Sequence, residues 1–225
     1  MFLLTIAFGL PFLGLLANAQ PIDTTPQGIT AIEAQFKNAD LVPDLLPTFN
    51  PSALMTVTFP GVGPISAGQN LSMQQVATAP AVTITPANSS VSTKGNFTLM
   101  MVDAFAVGTN ESNGQILHWL ANFATLQSGS SASGSLNVST GGGVVVTNYV
   151  SPAPPVGTGL HRYTLLLFPQ PASFSPPANL SSANVGIDLY FHLNDYLSTS
   201  HLGQPIAGMF FEVEQLSPTV SGSAS

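Results

Sequence analysis

The chain contains no cysteine. That excludes a disulfide framework and any zinc site built on thiolates. Charge is almost as scarce: only 6% of the 225 residues are charged, with three Lys plus Arg against ten Asp plus Glu. At a formal charge of −7 no basic patch can neutralise phosphates, so nucleic acid is excluded as a partner. Docking on anionic lipid through a polybasic surface is excluded on the same ground. The chain also lacks a G-x-S-x-G elbow, an H-E-x-x-H pair, a P-loop and a dinucleotide-binding glycine pattern.

Apolar residues, by contrast, make up 44% of the chain. Residues 20–216 amount to one ordinary domain with a sizeable core. Its surface must be covered by Ser, Thr, Asn and Gln rather than by ions. Phe2–Leu16 is almost wholly apolar, and Ala17-Asn18-Ala19 places small residues where signal peptidase cuts. The run is shorter than the roughly 20 residues that span a bilayer. Residues 1–19 therefore read as a signal peptide rather than a transmembrane anchor, with a secreted product starting near Gln20. Residues 217–225 read as a polar, flexible tail with no lipid-anchor signal. Six N-x-S/T sequons, at Asn70, Asn88, Asn96, Asn110, Asn137 and Asn179, agree with secretion as a glycoprotein.

Along the mature chain, Thr25-Pro26 offers a cap and first turn, and Ile29, Ile32 and Phe36 recur at helical spacing. Residues 42–50 hold two prolines and read as a linker. Leu54–Phe59, Ala81–Thr85, Phe97–Val102, Val144–Val150 and Met209–Glu214 read as strands. Ile116–Phe123 fits a helix and an alternating strand equally well. Residues 128–143 are rich in Ser and Gly and read as a flexible loop. Gln170–Asn184 is a loop of Pro, Ser and Asn. Phe191–His201 reads as a short helix, with His192 and His201 on the surface.

The stretch Pro154–Phe168, PPVGTGLHRYTLLLF, organises the rest. Prolines and glycines make a tight approach to a buried strand, His161–Phe168. Alternation puts His161, Tyr163, Leu165 and Leu167 on one face, and Arg162, Thr164, Leu166 and Phe168 on the other. His161 and Tyr163 then stand about 6.5–7 Å apart at their backbones, close enough to converge on one small polar group. From the strand alone, two hydrogen-bonded core residues are the favoured reading. Asp103, at the end of an apolar strand, needs a partner because buried acids are rare unpaired. It suits either a turn, bonding nearby N–H groups, or the wall of an anion site.

PP-x-GTGLHRY resembles the second signature of the phosphatidylethanolamine-binding protein (Raf-kinase-inhibitor-protein) family. Leu99–Val107, LMMVDAFAV, resembles its first signature, and Leu202–Glu214, LGQPIAGMFFEVE, its last strand. The match covers most of Val42–Gln215 and suits a divergent, secreted member of fungal type. The first signature has two acids flanking a proline; here Asp103 keeps the first acid, and Phe105 stands in place of the second. The resemblance implies a mostly all-β fold, a single-domain antiparallel two-sheet β-sandwich with a few peripheral helices. It also makes Ile116–Phe123 a strand.

The resemblance further implies a pocket lined by Asp103, His118, Pro155, His161 and Tyr163. His118 and His161 would donate to ligand oxygens, Tyr163 would add a hydroxyl, Asp103 would orient a histidine and Pro155 would shape the rim. The expected ligand is a small anion, such as a phosphate-bearing phospholipid head group. No cofactor or metal is expected. Inhibition of a serine carboxypeptidase, known for a fungal branch of the family, is the alternative role. A hydrolase using the two histidines ranks third, because the sequence shows no activated nucleophile.

Overall fold

The computed structural model describes residues 26–109, 112–128, 134–183 and 185–216. Residues 1–19, Thr25, the sequon asparagine Asn110 and residues 217–225 lie outside them. The expected first helix forms as α1, Pro26–Asn38, followed by the short α2, Leu41–Asp44. The strands are β1 (Ala53–Phe59), β2 (Gly63–Pro64), β3 (Gln69–Asn70), β4 (Ala81–Pro86), β5 (Phe97–Asp103) and β6 (Gln115–Ser128). They continue as β7 (Leu136–Ser139), β8 (Val144–Thr147), β9 (His161–Pro169), β10 (Asp188–Phe191) and β11 (Ala207–Val213), with α3, Leu193–Thr199, between the last two. Among the described residues no helix is long and apolar enough to cross a membrane.

Hydrogen bonding runs along one path, β2-β1-β4-β7-β6-β5-β9-β11-β3, with β8 and β10 also paired to β6. All pairings are antiparallel except that of β11 with β3. The mostly β architecture with few helices is as expected. The pairing, however, joins the two halves into one curled sheet rather than leaving two separate ones. The 14-residue β6 causes this: Ile116–Ala124 lies along β5, and Thr125–Ser128 turns to β7. A bulge opposite Thr98, with Phe123 at φ 59°, marks the bend. The curl brings Phe59 of β1 within 5.2 Å of Phe211 of β11, ring to ring, six steps away along the path.

Two apolar clusters result. The inner one, inside the curl, joins Met55, Val57 and Phe59 to Leu99, Met101, Leu165, Leu167 and Phe211. The outer one joins Met100, Val102, Leu166, Phe168 and Phe210 to the covering helices and loops. The two faces of β9 divide between the clusters as alternation predicts, so its apolar run is buried on both sides. Each buried Leu or Phe contributes about 1.5–3 kcal/mol. Over the outer face α1 approaches closely: Phe36 stacks on Phe49 at 3.9 Å and meets Phe210 edge-on at 5.4 Å. Gly208 permits this, since a Cβ there would press Phe36, Phe49 and Leu166 at 3.1 Å each.

Two expectations fail for a common reason. Residues 42–50 are not a linker: Leu45, Leu46 and Phe49 are buried in the outer core. Residues 128–143 are not wholly loop: Leu136–Ser139 is β7, which bridges β4 and β6. In both segments a few apolar side chains sit among prolines or serines. Their burial outweighs the local composition once a sheet face is there to receive them. At the margins, Val144–Val150 keeps strand geometry only to Thr147, and Phe191 belongs to β10 rather than to the helix that follows. His192 and His201 are exposed, as expected.

Candidate functional site

Sheet register assembles the site. Asp103, last in β5, pairs directly with Tyr163 of β9, and His161 stands two residues before Tyr163 on the same face. In β6 the register slips between Met101/Trp119 and Val102/Leu117, so His118 is the extra residue of a bulge. Bulges re-aim side chains. This one turns His118 towards the Tyr163 ring, whose centroid lies 5.2 Å away. His161 lies over the other side of the phenol in near-parallel stacking, at 6.4 Å. The structure thus brings Asp103, His118, His161 and Tyr163 together around one phenol.

The hydrogen bonds are specific. His161 Nδ1 lies 2.8 Å from Asp103 Oδ2, while Asp103 Oδ1 accepts the Phe105 N–H at 2.7 Å. Asp103 thus bonds the backbone of its own turn with one oxygen and a histidine with the other. Tyr163 stands beside the same carboxylate, directly opposite Asp103 in the strand pairing. Burial above all, and then the charge and hydrogen bond of Asp103, hold the phenol well above its usual range. The other histidine is fixed differently: His118 Nδ1 is 2.8 Å from the Val150 carbonyl. A carbonyl only accepts, so Nδ1 carries the hydrogen, and Nε2 of the neutral ring is an acceptor. Burial lowers the His118 pKa from its ordinary value, outweighing the Val150 bond and the Asp103 charge that raise it. His118 can therefore donate to a ligand oxygen only after protonation.

The residues converge, but under cover: Asp103, His118, His161 and Tyr163 are only 1–4% exposed. Two loops close over them. Phe105, at φ 54°, sets its ring edge-on to His161 at 5.8 Å. Thr158, itself exposed, places Oγ1 2.8 Å from His161 Nε2 and donates its hydroxyl hydrogen to Pro155 O, also at 2.8 Å. Pro155 is exposed and contributes the carbonyl that Thr158 meets. Neither Thr158 nor the Val150 carbonyl was marked by the sequence. The position of Thr158 between two glycines of the GTG turn was the available signal.

Arg162, on the opposite face of β9, braces this roof from behind. It is 1% exposed. Its Nη2 donates to Ala104 O at 2.6 Å, its Nε to Phe105 O at 3.0 Å and its Nη1 to Ala39 O at 2.7 Å. Asp44 accepts from Nη1 at a longer 3.3 Å. Among the described residues no three His, Asp or Glu side chains gather as a metal site. Of the sequon asparagines, Asn70, Asn88, Asn96, Asn137 and Asn179 are exposed.

Residues 55–213 match the family model described as phosphatidylethanolamine-binding protein. A 26 kDa secreted antigen of Toxocara canis is 30% identical over 185 residues, 78% of this chain but 62% of the relative. The chain thus spans less than two thirds of that protein. An uncharacterized protein of Saccharomyces cerevisiae is 26% identical over 197 residues, covering 82% of this chain and 94% of its own. Among solved structures, a carboxypeptidase Y inhibitor complexed with its cognate proteinase superposes with a TM-score of 0.68 at 23% identity, covering 83% of this chain and 96% of that one. A phosphatidylethanolamine-binding protein of Plasmodium vivax gives 0.56 at 13% identity, covering 81% and 96%. These two likenesses are of fold.

Proposed function

Given that the chain belongs to the phosphatidylethanolamine-binding protein family, we propose that it is a secreted, N-glycosylated binding protein. Its pocket, lined by Asp103, His118, Pro155, His161 and Tyr163, takes a small anion of the phosphate head-group class. One observation carries this reading. Two buried histidines flank a buried phenol at one carboxylate, with His161 Nε2 directed at an exposed loop hydroxyl rather than into the core. His161 Nε2 is placed as a donor to an oxyanion, and His118 becomes a second donor once it is protonated.

The same geometry disfavours hydrolysis. Hydroxyl, imidazole and carboxylate stand in the order of a nucleophilic relay. A nucleophile, however, must direct its hydrogen to the base, and that of Thr158 goes to Pro155 O. The Thr158 oxygen then accepts from the ring, which makes it a cap on a donor and not an activated nucleophile. Inhibition of a serine carboxypeptidase is the second reading, supported by the fold shared with the carboxypeptidase Y inhibitor.

Native mass spectrometry of protein purified from culture medium tests both. A retained phosphate-bearing ligand, lost in His161→Ala, supports the first reading. Co-purification with a carboxypeptidase whose activity it suppresses supports the second. Purified protein carrying neither, and binding no phosphodiester on addition, rejects both.

A further inference from the structure

We propose that Thr158 is the specificity-determining residue of this pocket: its hydroxyl stands in for a ligand oxygen, so only an oxyanion displaces it. The inference rests on the anion-binding reading above and adds what the site admits. Along the line Asp103–His161–Thr158 each contact holds one hydrogen. The Thr158 hydrogen is committed to Pro155 O, so the one between Thr158 Oγ1 and Nε2 comes from the ring. The occupant of the Nε2 position is thus an accepting oxygen, 2.8 Å away, which is what a bound oxyanion would supply. Because Thr158 is exposed while His161 is buried, the hydroxyl lies between the ring nitrogen and solvent.

The cap is built to move. Thr158 sits between Gly157, at φ 77°, and Gly159, at φ 88°. Beyond its own hydroxyl contacts, the turn is tied by a 3.2 Å bond from Gly157 N–H to Gln215 O and a long 3.4 Å bond from Thr158 N–H to Pro155 O. A neutral ligand would merely exchange one neutral acceptor for another. A charged oxygen makes a stronger bond to the same ring nitrogen and wins the position.

The surroundings narrow the class further. Val156 on the cap loop is 47% exposed, Val107 after Phe105 is 57% exposed, and Leu216 beside Gln215 is 74% exposed. The two loops touch at Ala106 and Gly159, where a Cβ on the glycine would lie 3.4 Å from that of Ala106. The two covering loops therefore expose apolar side chains and carry no cation among Phe105–Val107 and Pro155–Gly159. An oxyanion on an apolar stem gains burial there that a free inorganic anion does not.

Titration calorimetry with sulfate and with dihexanoyl phosphatidylethanolamine, both fixed in charge at the phosphorus or sulfur centre, tests this on the parent, Thr158→Ala and Thr158→Ser. The parent should bind the lipid more tightly than sulfate. Removing the cap should tighten sulfate binding by about tenfold, since the competing closed state disappears. Thr158→Ser, which keeps the hydroxyl, should bind sulfate as the parent does. Sulfate affinity unchanged in Thr158→Ala, or Ser behaving as Ala, overturns the cap. Equal affinity of the parent for both probes overturns the apolar-stem preference. If neither probe binds the parent or Thr158→Ala, the anion-binding reading itself fails.

Discussion

Arg162→Met is the most informative perturbation of the scaffold. The guanidinium is buried and donates to three backbone carbonyls, those of Ala39, Ala104 and Phe105, at 2.6–3.0 Å. A hydrogen bond from a charged donor is worth about 1.5–3 kcal/mol, and three would give about 5–9 kcal/mol if additive. Two effects reduce that sum. Methionine avoids the desolvation penalty of the guanidinium, and water can reach the Ala39 end, where the Asp44 side chain is 38% exposed. Ala104 O and Phe105 O are less easily hydrated, and an orphaned buried carbonyl costs about 1–3 kcal/mol. The expected net loss is ~3–5 kcal/mol, a large part of the 5–15 kcal/mol that typically holds a domain together. Asp44→Asn removes only the 3.3 Å ion pair with a partly solvated carboxylate, and should cost less than ~1 kcal/mol. Equilibrium urea unfolding, followed through the single tryptophan, Trp119, measures both. A cost under ~1 kcal/mol for Arg162→Met, or equal costs for the two variants, would refute the carbonyl latch.

Burial lowers the His118 pKa, so the unfolded chain, titrating near 6.5, takes up its proton first. The His118 contribution is therefore complete above about pH 6.5 and declines as pH falls towards the lowered folded value; thermal unfolding of the parent against His118→Gln from pH 7.5 to 4.5 should show a shallower acid loss in the variant, and identical slopes would rule the effect out. Asn122 Oδ1 accepts the buried hydroxyls of Thr98 and Tyr196, each at 2.9 Å. Asn122→Ala orphans both and should cost ~2–4 kcal/mol, whereas Tyr196→Phe, losing one donor, should cost ~1 kcal/mol; the reverse order in denaturant titrations would contradict this network. Intact mass before and after deglycosylation should show a chain starting near Gln20 that loses mass, and a product retaining Met1 with unchanged mass would end the secretory reading.

The sequence by itself determined the faces of β9, because alternation is a property of the strand and needs no partner. It also carried the GTGLHRY and LMMVDAFAV segments, whose resemblance foretold that Asp103, His118, His161 and Tyr163 would meet. Whether Ile116–Phe123 is helix or strand was not written in its periodicity; pairing with β5 decided it. Only tertiary structure made β7 from a Ser/Gly segment and packed Leu45, Leu46 and Phe49 over the outer face. It alone set Arg162 against carbonyls 57 to 123 residues away and closed Thr158 over His161. Side-chain periodicity is local, whereas a hydrogen-bond partner is whichever group the folded sheet brings within about 3 Å. A histidine reads the same in the sequence whether its outer nitrogen meets solvent, a ligand or a threonine three residues earlier.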